Sequence, residues 1–310
     1  MKAALTWAAY PTASLPAMLL TNTWLFVPGH NAAMIGKAMG LDVDVVVLDL
    51  EDGVPPDEKG AARSLIAEAL GRPLEPGTPV RFVRMNAAGE GDGEADLAAV
   101  VRPGLGGLVL PKVQDAEEVS TVAAYLDDRE PGAGLDRGSV GLLVTIESPR
   151  SLFAALAIAD SSPRLVALMF GAEDYGWELG LPALREEEAA ELIHARSTIV
   201  AAARAAHVQP IDAVWPDLGD EEGLRRDIGK ARRLGFSGKA LFHPSQIDAI
   251  NAVFAPTPQE IDYAERLTGA FDEAFARGEG SIAFEGRLVD RPIAERARAT
   301  LRLADGLGLR

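Results

Sequence analysis

The chain contains no cysteine among its 310 residues. This absence excludes disulfide bonds, thiolate metal sites and a cysteine nucleophile, and it favours a cytoplasmic location. Aromatic residues are also few, at 6%, whereas apolar residues as a whole reach 48%. Such an apolar fraction is sufficient for a large core and excludes an intrinsically disordered chain.

Positive charge is scarce, because 30 lysines and arginines face 46 acidic residues and leave a net charge of -16. A chain this acidic repels phosphate backbones, so we expect no nucleic-acid partner. No segment approaches the roughly 20 consecutive apolar residues of a membrane span, so we expect no membrane partner. The sequence also lacks a G-x-G-x-x-G motif after its first strand, a P-loop and two histidines at zinc spacing.

The first 21 residues are interpreted as a flexible leader. Lys2 precedes an apolar stretch that faintly resembles a secretory signal peptide, but Pro11 and Pro16 interrupt that stretch. We therefore favour a leader that precedes the first strand over a secretion signal, with Met18 as an alternative start.

Eight short apolar runs rich in β-branched residues alternate with segments of helical spacing. This alternation predicts a (β/α)8 TIM barrel with a C-terminal helical extension, and an open doubly wound sheet is the alternative. The strands read as continuous apolar runs, as expected where both faces of a sheet are buried. The predicted strands are Trp24–Val27, Asp44–Leu48, Val80–Met85, Gly107–Leu110, Gly141–Ile146, Leu165–Phe170, Gln209–Ala213 and Gly238–Phe242.

The chain is predicted to divide into a catalytic barrel at 22–256 and an extension at 257–310. The extension holds two helical stretches, Pro258–Arg277 and Ile293–Gly306, separated by Gly278–Asp290. Because the extension follows the eighth strand, it is not part of the eight strand–helix units of the barrel. Its expected role is to cap the barrel or to reach a neighbouring subunit.

Two acidic residues follow neighbouring strands of the predicted barrel. Glu147 comes directly after Gly141–Ile146, and Asp174 comes shortly after Leu165–Phe170. The carboxyl ends of barrel strands carry the chemistry of such folds. Two carboxylates there, with room for water and substrate oxygens, match the needs of Mg²⁺, so Glu147 and Asp174 are the predicted metal ligands. A helix cap is the alternative for either residue alone, and Glu173 is not expected to bind as well.

Arg84 ends the third predicted strand. Its planar guanidinium suits bidentate binding of a substrate carboxylate, with a surface ion pair as the alternative. The second strand ends in Asp49, Glu51 and Asp52, whose like charges are costly unless a cation or an arginine neutralises them. We expect Asp49 and Glu51 to orient Arg84 and metal-bound water, and Asp52 to form a turn or a helix cap.

Pro111 and Lys112 follow the fourth predicted strand. The lysine is expected to contact an anion or to balance the nearby acids. Schiff-base chemistry is an alternative, although a neighbouring metal already supplies an electron sink. His243 follows the eighth strand, where a catalytic role and a loop-holding role are both open. His30, after the first strand, is expected to hold its loop.

Eight segments of the chain, taken in order, form a recognisable set: Trp24–Gly29, Val47–Gly53, Val83–Asn86, Leu110–Val113, Thr145–Ser148, Phe170–Tyr175, Gly238–Ile247 and Phe284–Asp290. The set runs from about residue 22 to 295 and is specific, although each segment alone is weak. Together the segments resemble the citrate lyase β-subunit-like family, which is allied to the malyl-CoA lyases.

The resemblance implies a TIM barrel that makes or breaks a carbon–carbon bond next to an acyl thioester, with Mg²⁺ as cofactor. In that family Glu147 and Asp174 would hold the metal, and Arg84 would grip the 2-oxo acid. Asp290 matches a catalytic aspartate that a neighbouring subunit often delivers to the site. The family is typically trimeric or hexameric, so a homotrimer or homohexamer is expected.

The coenzyme A thioester is the expected substrate. Lys37 matches a lysine associated with coenzyme A in relatives, and Pro111 and Lys112 are assigned to the same cofactor-binding region. A β-hydroxyacyl-CoA such as malyl-CoA or citramalyl-CoA would be cleaved by a retro-Claisen step to an acyl-CoA and a 2-oxo acid, or formed from them. The alternatives are a metal-dependent aldolase on free hydroxy-keto acids and a partner-dependent citrate lyase β subunit acting on an acyl-carrier thioester.

Overall fold

The computed structural model describes residues 21–310 except 74, 76, 89–90 and 184–188. Eight parallel strands close into a barrel in chain order, and β1 pairs with both β2 and β8. This closure confirms the predicted barrel and excludes the open doubly wound sheet. The strands β1 to β8 are Thr23–Pro28, Val45–Asp49, Val80–Arg84, Gly107–Leu110, Gly141–Ile146, Leu165–Phe170, Gln209–Asp212 and Gly238–Leu241.

Helices connect the strands and surround the barrel, as its parallel pairing requires. Several begin with side-chain caps that fix where the chain leaves the rim. Asp115 accepts the backbone N–H groups of Glu117 and Glu118, for example, at 3.0 and 3.2 Å. The helices α1 to α9 are Ala32–Ala38, Lys59–Leu70, Gly91–Val100, Ala116–Arg129, Pro149–Ala159, Ala172–Glu178, Ile193–Ala205, Glu221–Leu234 and Ile247–Phe254.

The barrel interior is filled by alternate residues of the strands, because successive side chains of a strand point to opposite faces. Trp24 and Phe82 meet edge to face there, with ring centroids 5.1 Å apart. The interior is therefore a packed core, and open space for a ligand begins above it, where the strands end. Its buried members are Trp24, Phe26, Val45, Val47, Phe82, Val109, Leu143, Ala167, Met169, Ile211, Val214 and Ala240.

The chain forms two compact units, one ending at Asn251 and the other spanning Ala252–Arg310. In the second unit, helices α10 (Pro258–Ala276) and α11 (Arg291–Gly306) flank the hairpin β9–β10 (Ser281–Phe284 and Arg287–Asp290). This confirms the helical extension, whereas the hairpin was not predicted. Its turn residues Glu285 and Gly286 have φ values of 47° and 77°, which suits a two-residue hairpin turn.

The N-terminal leader lies outside the described residues up to position 20. Thr21, which the prediction included in the leader, is buried, and its hydroxyl donates to Gln209 Oε1 at 2.6 Å. Among the described residues, no helix combines the length and the apolar character that crossing a membrane requires.

Candidate active site

Charged side chains meet at the rim where the carboxyl ends of the strands open. The sequence predicted each of them as a site residue from its place at the end of a strand. The structure brings six of them into one group, because strands that pair in register end side by side. We call this group the mouth cluster; its members are Asp49, Glu51, Arg84, Lys112, Glu147 and Asp174.

Asp49 holds the Arg84 guanidinium through two bonds. Arg84 Nε donates to Asp49 Oδ1 at 2.7 Å, and Arg84 Nη2 donates to Oδ2 at 2.6 Å. The same carboxylate accepts the backbone N–H groups of Glu51 and Gly53, both at 2.9 Å. A Cβ at position 53 would lie 2.4 Å from Asp49 Oδ2, so glycine is what allows this turn. The turn at Glu51 and Gly53 thus holds the Asp49 carboxylate, which in turn orients Arg84.

Glu51 bridges the two basic residues of the mouth cluster. Its Oε2 lies 2.9 Å from Arg84 Nη1, and its Oε1 lies 2.8 Å from Lys112 Nζ. Burial raises the pKa of Glu51 by more than the charges of Arg84 and Lys112 lower it. The bond to Glu51 in turn raises the pKa of Lys112. A Schiff base requires a neutral amine, so this environment does not support that alternative.

Arg84 remains charged in spite of its burial. Burial alone would lower its pKa, but the hydrogen bonds that Arg84 donates to Asp49 and the charges of Asp49 and Glu51 outweigh burial and raise the pKa. The guanidinium also lies over the ring of Phe26, with Arg84 Cζ 5.1 Å from the ring centroid. This cation–π contact adds to the two carboxylates in holding the guanidinium in place.

Glu147 is buried directly after β5, and its position is fixed by the helix cap that follows it and by a hydrogen bond to its carboxylate. Ser148 caps helix α5 by accepting the N–H of Ser151 at 3.0 Å, which fixes the chain just after Glu147. Lys112 adopts a left-handed backbone, with φ 55°, and its N–H donates to Glu147 Oε1. A non-glycine residue in this region is strained, and such strain is found preferentially at functional sites.

The Glu147 carboxyl has an unusually high pKa of about 8. Burial is the largest cause, and the negative charges of Glu51 and Asp174 add to it, while the Lys112 N–H and Arg84 act in the opposite direction. The Glu147 side chain also fills the space beside Gly171, where a Cβ would lie 2.7 Å from its Oε2. Glu147 is therefore a confined acid whose charge lacks full compensation from the protein.

Asp174 lies half-buried in the first turn of α6, one strand further around the rim. Its charge reaches Glu147, while Glu173 beside it is exposed. Oxygen ligands from one or two carboxylates, completed by water and substrate, are what Mg²⁺ accepts. No group of three or more acidic or histidine side chains among the described residues is arranged to hold a metal. The protein ligands of a Mg²⁺ ion at this site would therefore be Glu147 and Asp174 alone. A cation between the two carboxylates would relieve their repulsion.

Other predicted residues are not members of the mouth cluster. Lys37 is exposed in the last turn of α1. Asp290 belongs to the C-terminal unit, where its Oδ1 accepts the N–H of Ile293 at 3.4 Å and caps α11. His243 accepts the N–H of Ser245 at its Nδ1 at 3.2 Å, which is a loop-holding contact. Pro111 is buried next to Lys112.

Sequence reasoning missed the aromatic part of the rim. Phe26 lies under Arg84, and Phe242 meets Phe26 edge to face, with ring centroids 5.9 Å apart. The period of two along β1 could have shown that Phe26 points inward, since Trp24 and Phe26 alternate with Leu25. The stacking itself depends on the neighbouring strand and has no local signal.

A closed (β/α)8 barrel with an oriented arginine and a pair of acids at its mouth defines a metal-dependent barrel enzyme. The chain belongs to the HpcH/HpaI aldolase/citrate lyase family, whose model matches residues 22–244. This membership confirms the family that the sequence motifs indicated and makes the protein an enzyme of the lyase class.

Three relatives illustrate the likeness. Citrate lyase subunit beta of Escherichia coli K12 is 39% identical over 289 residues, which cover 93% of this chain and 95% of that protein. The mitochondrial citramalyl-CoA lyase of Rattus norvegicus is 33% identical over 91% of this chain and 86% of its own. The CitE protein of Mycobacterium tuberculosis, solved with magnesium, acetoacetate and coenzyme A, has a TM-score of 0.77 and 33% identity, over 93% of this chain and 99% of that one.

Proposed function

We propose that the protein is a Mg²⁺-dependent carbon–carbon lyase that cleaves, or forms, a β-hydroxyacyl-CoA such as malyl-CoA or citramalyl-CoA. The products of cleavage are an acyl-CoA and a 2-oxo acid. The observation that carries the proposal is the charge imbalance of the mouth cluster around buried Glu147. Four acids face two bases there, so two negative charges remain when all are ionised. A divalent cation compensates that excess.

The metal is proposed to bind the carboxylates of Glu147 and Asp174, which follow the neighbouring strands β5 and β6. When bound, Mg²⁺ would stabilise negative charge on the oxygen that becomes the keto group. The relatives described above support this cofactor, because the CitE structure holds both magnesium and coenzyme A. Lys37, Pro111 and Lys112 are proposed for the coenzyme A side of the site.

Arg84 is proposed to bind the substrate oxygens on which charge develops. A guanidinium has five N–H bonds. Asp49 and Glu51 engage three of these bonds, since Nε, Nη2 and Nη1 each make one contact. As far as contacts with the described residues go, two N–H bonds therefore remain for the carboxylate of the 2-oxo acid or for the thioester enolate oxygen. Asp49 and Glu51 act through Arg84, by fixing the direction in which these donors point.

Asp290 is proposed to protonate the thioester enolate in cleavage and to remove a proton from the acyl group in the reverse direction. We infer that a neighbouring subunit supplies it, within a homotrimer or homohexamer. The C-terminal unit would then complete the site of a second copy. A cytoplasmic location is inferred from the absence of cysteine.

Replacing Asp290 with alanine tests this role. The variant is expected to lose turnover while it retains Mg²⁺ binding, because Asp290 is not among the metal ligands. Steady-state assay and calorimetric titration with MgCl₂ measure the two properties separately. Turnover at the unaltered rate would remove Asp290 from the mechanism.

The reaction itself is tested with purified protein, MgCl₂ and a panel of substrates: malyl-CoA, citramalyl-CoA, β-methylmalyl-CoA, and acetyl-CoA with glyoxylate. The readout is released 2-oxo acid and free thiol. Turnover that EDTA abolishes supports the lyase, and the best substrate names its specificity. Silence from folded, metal-bound protein would favour the free-acid aldolase or a partner-dependent subunit, as the likeness to citrate lyase subunit beta allows.

A further inference from the structure

Phe242 is a large apolar side chain placed in the open at the mouth of the barrel. It has 54% of its surface exposed, although it follows directly on the buried strand β8. Its ring contacts that of Phe26, which is almost fully buried. An exposed phenylalanine is ordinary on an outer helix, but at a catalytic rim it is a surface that a ligand can cover.

The direction of Phe242 follows from the period of β8. Ala240 belongs to the core inside the barrel, and Leu241 points to the opposite face. Phe242 is thus the next inward position, and its contact with the inward-facing Phe26 agrees with this. The ring therefore stands above the packed interior, inside the circle of strand ends.

The position of Phe242 around that circle indicates which part of a substrate it meets. Glu147 and Asp174 follow β5 and β6, whereas Phe26 lies on β1, four strands from β5 in either direction. Arg84 reaches toward the aromatic side, since its guanidinium covers Phe26. A substrate held by the two acids at one end and by Arg84 at its centre would extend its other end toward Phe26 and Phe242.

We propose that Phe242 is a specificity-determining residue that contacts the acyl group of the thioester and favours acyl groups with an apolar substituent on the reacting carbon. This rests on the proposed lyase function, in which Glu147 and Asp174 hold the 2-oxo acid half of the substrate. The acyl half then lies against the aromatic rings of Phe26 and Phe242. The Phe242 ring offers exposed carbon surface and no charge of its own, so its contact with the acyl group is strengthened by an added methyl group.

The test compares propionyl-CoA with acetyl-CoA in condensation with glyoxylate, for the wild type and for Phe242→Ala. A methylene group in an apolar pocket changes discrimination by roughly 10-fold or more. The ratio of kcat/KM for propionyl-CoA over acetyl-CoA is expected to fall about tenfold in Phe242→Ala, with the KM for glyoxylate within about twofold. Phe242→Leu retains part of the apolar surface and should lie between the two.

Phe153→Ala is the matched control, because Phe153 is an 86% exposed phenylalanine on helix α5, outside the mouth cluster. It should leave the ratio unchanged. A second readout needs no turnover: calorimetric titration of each enzyme with propionyl-CoA and with acetyl-CoA, where Phe242→Ala should lose the difference between the two dissociation constants.

An unchanged ratio in an active, folded Phe242→Ala would overturn the inference while leaving the lyase function intact. A raised KM for glyoxylate with an unchanged kcat/KM ratio of the two thioesters would also overturn the inference, because the Phe242 ring would then contact the 2-oxo acid. If the wild type turns over none of the thioesters, the proposed function fails and the titrations decide the inference. Equal binding of both thioesters by wild type and variant would then overturn it.

Discussion

Two of the groups of charged residues in the barrel differ in the balance of their charges. Behind β7 and β8, two basic and two acidic residues form a closed set in which each acid contacts both bases at 2.6 to 3.0 Å. At the mouth, four acids share two bases. We call the first set the wall cluster; it consists of Arg196, Asp212, Asp227 and Lys239.

The comparison contrasts acids whose charge the protein itself compensates with acids whose charge it leaves uncompensated. In the wall cluster, burial alone would raise the pKa of Asp227, but Lys239 and Arg196 outweigh burial and lower the pKa to about 2. In the mouth cluster, burial and neighbouring acids raise the pKa of Glu147 to about 8. A carboxylate that the protein itself neutralises can serve the fold alone, whereas one left uncompensated can accept a cation, which is the role proposed for Glu147.

The largest expected effect comes from Glu147→Gln. Without this carboxylate, Mg²⁺ binding and turnover should fall by roughly 10⁴-fold, since metal stabilisation of the reacting oxygen is worth several kcal/mol. The midpoint of thermal unfolding should stay level or rise, because a buried acid with a raised pKa is removed. Calorimetric titration and thermal unfolding measure the two outcomes. A variant that loses stability as well would assign Glu147 to the fold.

Asp212→Ala should give the reverse pattern. Arg196 and Lys239 would keep their charges in a buried place with one partner fewer, which costs about 3–5 kcal/mol of unfolding free energy. Denaturation in urea measures this loss. Mg²⁺ affinity of the folded fraction should be unchanged, and a specific loss of affinity would show that the two clusters are coupled.

The contribution of the wall cluster to the free energy of unfolding should also fall in acid. The pKa of Asp227 is lowered from 3.8 to about 2, so its contribution is complete above about pH 4 and disappears as the pH falls through 2. The contribution is on the order of 2 kcal/mol. Urea unfolding of the wild type and of Asp227→Asn between pH 5 and pH 2 measures it as their difference. A difference that stays constant over this range would contradict the pKa.

Gly171→Ala is the smallest and most local change. The new Cβ would lie 2.4 Å from Glu147 Cβ, so the acid must move within its confined space. We expect turnover to fall about tenfold, which corresponds to about 1.4 kcal/mol, with a similar loss of stability. Gly53→Ala is a matched change beside Asp49, and should raise the KM for the 2-oxo acid more than it alters Mg²⁺ binding.

Much of the barrel was predictable from sequence, because its signals are local. Every predicted strand boundary lies within one residue of the observed one. The acids at the strand ends were predictable for the same reason, since a charged residue directly after an apolar run must lie at a rim. Asp49 extends β2 by one residue and pairs in register with Arg84, which accounts for the contact between them.

What could not be predicted depends on contacts between distant segments. The wall cluster joins two strands to the helices α7 and α8, so none of its four members has a neighbour in sequence that reveals its partner. The roles assigned to Asp290 and Lys37 stay predictions, because they rest on the family resemblance and not on contacts within the mouth cluster.

Lys112 contacts two acids, one through its side chain and the other through its backbone. Its side-chain Nζ pairs with Glu51, and its backbone N–H donates to Glu147. Replacing the side chain removes the first contact and leaves the second, so an alanine scan would understate the importance of this position. Because φ is 55°, glycine would relieve the backbone strain there and free the N–H to drift. Lys112→Gly would therefore be more informative than Lys112→Ala, because it tests the backbone contact with Glu147 as well as the side-chain contact with Glu51.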